Sequence, residues 1–241
     1  MGLIVQKFGG TSVADRICLL NVANIIARRI REGNRVVTVV SAQGDMTDRL
    51  VSGAMELSDR PNSRELDALL STGEQAAAAL LSIVLNEMGV PAISLTGAQA
   101  GIKTDTQYGN AEIVKIEKEA IQYHLNNDTA VIVAGFQGVD PFGNTTTLGR
   151  GGSDTSAVAL AAALKADSCR IYKDVDGIYT ADPRKDLSAK KLDTISYEQM
   201  LHLCDTGSGV LQRKSVELAQ KHQIELQILS SFQRTSGTVI R

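Results

Sequence analysis

Short β-branched runs alternate with longer amphipathic stretches along most of this chain, and that alternation constrains the fold more than any other feature. Leu3-Ile4-Val5, Val36-Val37-Thr38-Val39-Val40 and Ala130 to Ala134 read as strands buried on both faces, the mark of a mainly parallel sheet. Pro91 to Leu95, Ile171-Tyr172 and Ile224 to Leu229 read as further strands. Between them, Val13 to Arg31 carries Val13, Ile17, Leu20, Ala23, Ile26 and Ile30 at helical spacing, with Gly33 beyond as a stop. Leu66 to Met88 repeats the pattern and ends on Gly89, while Tyr197 to Cys204 and Val210 to His222 are helical. Ser153 to Leu164 is Ala-rich and reads as a helix with Ser153 near its N-cap. The predicted fold class is α/β, a three-layer α/β/α sandwich with a mainly parallel central sheet.

The chain has 241 residues, against about 100–200 for a typical domain. No repeat or Ser/Pro-rich linker divides it, so one domain with two lobes around a cleft is expected. Asp59 to Arg64 and Asp140 to Asn144 read as turns, the second a hairpin tip before Thr145-Thr146-Thr147. A net charge of 25 − 27 = −2 removes the main electrostatic reason to expect nucleic acid or an anionic membrane. No apolar run approaches the ~20 residues of a membrane span, and the N-terminus lacks a signal-peptide pattern. Cys18, Cys169 and Cys204 are odd in number and far apart, which fits reduced thiols in a cytoplasmic protein.

Three glycine-bearing segments carry the chemistry. Lys7-Phe8-Gly9-Gly10-Thr11-Ser12 follows a strand and opens a helix, so its backbone N–H groups can cradle a phosphate beside the Lys7 cation. It is neither a P-loop nor a GxGxxG fingerprint, and a plain strand-to-helix turn with a solvated lysine remains open. Thr147 to Ser156 joins Gly149, Gly151 and Gly152 to Arg150 and a helix start, a set suited to anions. Asp154 there has a bland explanation in the helix dipole and a sharper one as an orienting group for a lysine or ammonium. Lys173 to Arg184 holds two turn signals, Asp176-Gly177 and Asp182-Pro183; it is either a hairpin or a nucleotide platform using Tyr179 and Arg184. No GxSxG, HExxH or CxxC pattern supports a hydrolase or a protein-held metal.

Taken in this order, VQKFGGTSV at 5–13, VVSAQGDMTDRL at 39–50, LLSTGEQ at 69–75, TTLGRGGSDTSAVALAAAL at 146–164 and DVDGIYTADPR at 174–184 resemble the aspartate kinases of the amino acid kinase family. ISYEQML at 195–201 and SGTVI at 236–240 extend the likeness to nearly the whole chain. The resemblance implies an eight-stranded, mostly parallel sheet and transfer of the ATP γ-phosphoryl group to the β-carboxylate of L-aspartate. It implies that Lys7 neutralises the transferring group and that Gly9 and Gly10 supply backbone donors. Ser41 and Thr47 line the cleft, Glu74 receives the substrate α-ammonium and Arg150 its α-carboxylate. Gly152 and Ser153 present backbone at the helix start, and Asp154 orients Lys7. Lys173, Asp174, Tyr179 and Arg184 fall on the nucleotide side, with Mg²⁺ carried mainly by the nucleotide phosphates. A homodimer is implied by the habit of relatives.

Departures accompany the likeness. GSGVLQRK at 207–214 stands where many relatives have GAKVLHPR, so a lysine that reaches phosphates there has no counterpart at Gly209. Lys173 stands where threonine is usual, and Ala98 where tryptophan is frequent. Relatives commonly carry regulatory ACT modules after the catalytic domain, none of which lies within 1–241, so feedback by lysine or threonine is not expected of this chain. The rival readings are a sibling kinase with another acidic acceptor and a catalytically weak ligand-binding module.

Overall fold

The computed structural model describes residues 2–181, 186, 188–205 and 210–241. The chain opens with strand β1 (Leu3–Phe8), a short 3-10 turn (Gly10–Val13) and helix α1 (Arg16–Arg31), followed by β2 (Arg35–Val40), α2 (Met46–Leu57) and α3 (Ser63–Glu87). Next come β3 (Ala92–Leu95), β4 (Ile102–Thr104), β5 (Ile113–Ile116), α4 (Glu119–Asn126), β6 (Ala130–Ala134), β7 (Gln137–Val139) and β8 (Thr145–Thr147). The last third runs α5 (Gly152–Leu164), β9 (Ser168–Lys173), β10 (Ile178–Tyr179), β11 (Lys191–Leu192), β12 (Thr194–Ile195), α6 (Tyr197–Asp205), α7 (Arg213–His222), β13 (Leu226–Ser230) and β14 (Thr238–Ile240).

Eight strands form one sheet in the order β12-β14-β13-β9-β1-β2-β6-β3. Every neighbouring pair is parallel except β13 with β14. Apolar clusters cover both faces, as the two-sided strands require: α5, α6 and α7 pack on one, α1 and α3 on the other. The expected three-layer sandwich is therefore present. A second sheet, β5-β4-β7-β8, contains the expected hairpin, whose tip is tied by Asp140 accepting from the Phe142 and Asn144 amides.

Two details depart from expectation. The α1 core face is Leu19, Val22, Ala23, Ile26 and Ala27, whereas Ile17 is 77% exposed. The cause is local: Val13 belongs to the 3-10 turn, and α1 restarts after Asp15, whose carboxylate accepts from the Cys18 amide at 2.8 Å. Val13, Ala23 and Ile26 of the expected stripe are nonetheless buried and Ile30 packs against the core, so the break falls at Ile17. Helix α3, with mean hydropathy 1.5 over its most apolar window, is long and apolar enough by length and composition to cross a membrane, contrary to expectation. Its inner face (Leu70, Ala77, Ala78, Leu81 and Leu85) is instead buried in the core, beside buried Asp67 and Glu74.

Candidate active site

The site gathers at the carboxyl ends of β1, β2 and β9, where an open α/β sheet offers its crevice. Lys7 and Lys173 stand two residues apart in register on β1 and β9, and so on the same face (Phe8 faces Tyr172, and Lys7 faces Ile171). On the opposite face of the same strand ends the Phe8 and Tyr172 rings stack at 4.4 Å. Asp154, in the first turn of α5, meets both ammoniums. Lys7 Nζ lies 2.7 Å from Oδ1, and Lys173 Nζ lies 2.7 Å from Oδ2. Their side chains are 7%, 20% and 4% exposed for Lys7, Lys173 and Asp154, so screening is weak and the ion pairs are strong.

Electrostatics follow from that burial. Desolvation lowers the Lys7 pKa from its ordinary value, and the Lys173 charge adds to the effect, while Asp154 opposes it. Burial by itself raises Asp154, but attraction to Lys7 and Lys173 overrides this and holds the carboxyl below its usual range. One carboxylate against two ammoniums leaves a net positive centre at the glycine loop.

Gly9 and Gly10 bend the chain directly after β1. A side chain at Gly9 would have Lys7 Nζ 3.6 Å away as its nearest neighbour, so backbone and ammonium face the same space. At Gly10 a Cβ would lie 2.6 Å from the Ala42 carbonyl, which is why only glycine lets this loop close on residues 42–44. Ser41 follows β2, half-buried, its amide donating to the Phe8 carbonyl at 3.1 Å. The Ala42 amide donates to Glu74 Oε1 at 3.0 Å, which carries α3 to the same place. Glu74 is 3% exposed, and its Oε2 has no hydrogen-bond partner among the described residues. Desolvation raises its pKa to about 7, partly offset by the Ala42 amide and by Lys7.

Lys7, Gly9, Gly10, Ser41, Glu74, Asp154 and Lys173 are therefore brought together. Gly152 and Ser153 are buried at the start of α5, whose N-cap is Gly151, two residues before Ser153. Arg150 is exposed in the preceding turn, and Thr47 is half-buried in the first turn of α2. Asp174 is exposed just past β9, and the Tyr179 hydroxyl donates to Asp176 at 2.9 Å. Arg184 and Gly209 lie outside the described residues.

The glycines of the second segment also have packing reasons that the sequence did not display. Gly149 and Gly151 both sit at φ +73°, and a Cβ on Gly151 would come within 2.3 Å of Gln212. Sequence reasoning missed Asp67. This buried acid accepts from the Thr147 amide (2.7 Å), the Thr147 hydroxyl (2.7 Å) and the Gly109 amide (2.9 Å), anchoring β8 just before Arg150. Its signal was available: Asp67 precedes Glu74 by two helical turns, on the same face of an otherwise apolar helix.

Comparison with known proteins identifies the family and the fold. The profile of the amino acid kinase family matches residues 2–230. The chain is 56% identical over 240 residues to an aspartokinase of Bacillus sp. strain MGA3, covering 100% of this chain and 58% of that protein. It is 52% identical over 241 residues to the aspartokinase of Geobacillus stearothermophilus, covering 100% and 59% respectively. The chain thus spans somewhat under two thirds of these curated relatives. Among solved structures, aspartate kinase from Synechocystis superposes with a TM-score of 0.89 at 49% identity, over 99% of this chain and 39% of that one. E. coli aspartokinase III, solved with aspartate and ADP, gives 0.85 at 28% identity, over 99% and 64%. With the family profile running from β1 through β13 and the sheet order and lysine-bearing strand ends in place, the chain belongs to the amino acid kinase family.

Proposed function

We propose that this chain transfers the γ-phosphoryl group of ATP to the β-carboxylate of L-aspartate, forming 4-phospho-L-aspartate, the entry to lysine, threonine, methionine and diaminopimelate synthesis. The observation that carries the reading is Asp154 held between the Lys7 and Lys173 ammoniums, 2.7 Å from each, beside a glycine loop. Phosphoryl transfer needs positioning and cations on the equatorial oxygens more than covalent help. The aspartate and ADP bound by E. coli aspartokinase III, and the aspartokinase names of the nearer relatives, support acceptor and donor alike.

A β-carboxylate oxygen attacks the γ-phosphorus while the bond to the bridging oxygen breaks and ADP leaves. The acceptor is already ionised at neutral pH, so no general base is required. Lys7 neutralises the transferring group, Lys173 the donor phosphates, and Gly9 and Gly10 offer backbone donors. Asp154 fixes both ammoniums by ion pairing. Glu74 receives the substrate α-ammonium through its free oxygen, Arg150 its α-carboxylate, and Ser41 and Thr47 line the acceptor side. Gly152 and Ser153 present the start of α5, whose dipole favours anions. Asp174, Tyr179 and Arg184 serve the nucleotide side. Each Asp154 oxygen lies 2.7 Å from an ammonium, so Mg²⁺ would be held mainly by the nucleotide phosphates, whose charge it would further neutralise. The same reading carries a cytoplasmic location, which three free cysteines suit, and a homodimer, which light scattering tests.

The deciding experiment is an ATP-dependent hydroxamate assay across aspartate, glutamate and acetylglutamate. Aspartate is expected to give hydroxamate fastest. Preference for acetylglutamate would make this a sibling kinase, and no product from any acid would leave only a ligand-binding module.

A further inference from the structure

On the sheet face opposite Lys7, a row of polar side chains crosses three adjacent strands inside the apolar layer. Gln6 on β1 is 0% exposed, and neither Nε2 nor Oε1 has a hydrogen-bond partner among the described residues. Its ladder neighbours are Thr38 on β2 and Arg170 on β9. Thr38 Oγ1, Arg170 Nε and Arg170 Nη1 are buried and equally unpartnered. From above, α1 brings Arg28 and Arg29, each with a buried Nε in the same condition. Arg29 and Arg170 are close enough to repel one another, and both approach the Tyr172 hydroxyl. The one acid of the group, Glu32, pairs with Arg29 Nη1 at 2.9 Å.

Two bland explanations fall short. Basic residues in the last turn of α1 suit the helix dipole, which accounts for Arg28 and Arg29 but not for a guanidinium on β9. A polar residue at a strand position can simply be solvated, yet the unpartnered atoms here are enclosed. Buried polar groups are nearly always satisfied, and here the unpartnered nitrogens of Gln6, Arg28, Arg29 and Arg170 outnumber the unpartnered oxygens of Gln6, Thr38 and Tyr172, a shared surplus of donors. Three guanidiniums face one carboxylate, and the free valences are mostly N–H donors in fixed fork geometry. What completes such a set is a small group rich in acceptors and negatively charged.

We infer that Arg170, Arg29 and the Gln6 amide form a binding site for a compact oxyanion of the phosphate class, on the far side of β1 and β9 from the Lys7–Asp154 centre. Two arginines supply charge-assisted donors, and Gln6 Nε2 supplies a neutral one from beneath. The site is independent of the aspartate kinase reading, because none of these groups touches Lys7, Asp154 or Glu74. It does sit behind the active strand ends, since Gln6 precedes Lys7 and Tyr172 precedes Lys173.

Thermal melts with inorganic phosphate, at ionic strength held constant by exchange against chloride, test this. The wild-type chain should gain roughly 5–10 °C at a hundredfold excess over Kd, saturably. The glycine loop can also hold phosphate, so Lys7→Ala is the control and should keep the response. Arg170→Gln should lose it, and Arg29→Gln should weaken Kd at least tenfold. Arg29 is partly exposed in the last turn of α1, so its variant carries the test if Arg170→Gln fails to fold. Crystals soaked in selenate should show an anomalous peak between Arg29 and Arg170. The inference is overturned by no response beyond that to chloride, by a wild-type response in either arginine variant, by its loss in Lys7→Ala, or by selenate at the glycine loop alone.

Discussion

The Lys7 ammonium lies 2.7 Å from Asp154 Oδ1 although the two residues are separated by most of the chain. Parallel strand order explains the meeting: β1 is central, and α5 crosses over its carboxyl end before feeding β9 alongside it. A cation held this way is desolvated in advance and needs no reorganisation when phosphate charge arrives. Lys7→Ala should therefore leave the fold intact, because Asp154 keeps Lys173, while kcat falls by a factor on the order of 10²–10⁴. Near-normal turnover in the purified variant removes Lys7 from the mechanism.

Asp154 itself answers differently. Replacing it by alanine strands two partly buried ammoniums, and removing one member of a buried ion pair costs about 3–5 kcal/mol. For a chain of this size, that is a fall in Tm of roughly 6–20 °C. Calorimetry on Asp154→Ala checks it; an unchanged Tm would mean that the ion pairs contribute nothing to stability.

Lys173 separates donor from acceptor. It contacts Asp154 from the β9 side, whereas Lys7 also attracts Glu74. Lys173→Thr should raise KM for ATP about tenfold or more, as expected for one charge-assisted contact of ~1.5–3 kcal/mol, with KM for the acceptor little changed. Equal increases in both constants would contradict a nucleotide-side role.

Legibility of this molecule from sequence followed the length scale of each signal. The strands at 3–8, 35–40 and 130–134 were readable because each is apolar on both faces, so every residue repeats the same message. Helix α2 buries none of its residues, so no core stripe announced it, and the short strands of the second sheet carry too few residues to show a period. Lys7, Gly9, Gly10 and Asp154 were visible because glycine loops at strand-to-helix junctions are local. The pairing of Asp154 with Lys173, and of Glu74 with the Ala42 amide, depends on which strands adjoin, and spacing along the chain does not encode that. Arg150, expected as a grip on substrate, is solvent-exposed in the turn before α5, and no strand or helix fixes its guanidinium.

Glu74 gives the chain a pH signature. Its pKa rises from the ordinary 4.5 to about 7 because folding desolvates it. Between these values the folded state binds more protons than the unfolded one, so stability falls as pH rises from 4.5 towards 7, then levels. Glu74→Gln has no such proton to lose. Its Tm should therefore gain on wild type across that window and hold the advantage above it. In kinetics, kcat/KM for the acceptor should climb through pH 7 in wild type as the carboxylate forms. Parallel Tm curves for the two proteins would show that Glu74 does not titrate there.

Acceptor choice rests on opposed charges. A free amino acid brings an ammonium and an α-carboxylate into the cleft, and each needs a partner to offset desolvation. Glu74 offers a buried oxygen without a hydrogen-bond partner, and Arg150 an uncommitted guanidinium, which leaves the β-carboxylate free to face Lys7. Glu74→Ala should cost ~2–5 kcal/mol in kcat/KM for aspartate, the range for stranding one member of a desolvated charge pair. Arg150→Ala should cost less, about 1.5–3 kcal/mol, because its guanidinium is solvated in the free chain and is not left buried. Glutamate is longer by one methylene, and such a difference yields ~1–3 kcal/mol of discrimination, so it should be a poor acceptor rather than an inert one. The measurement is kcat/KM for both acids on wild type and the two variants. Glutamate outperforming aspartate, or undiminished use of aspartate by both variants, would sink the assignment.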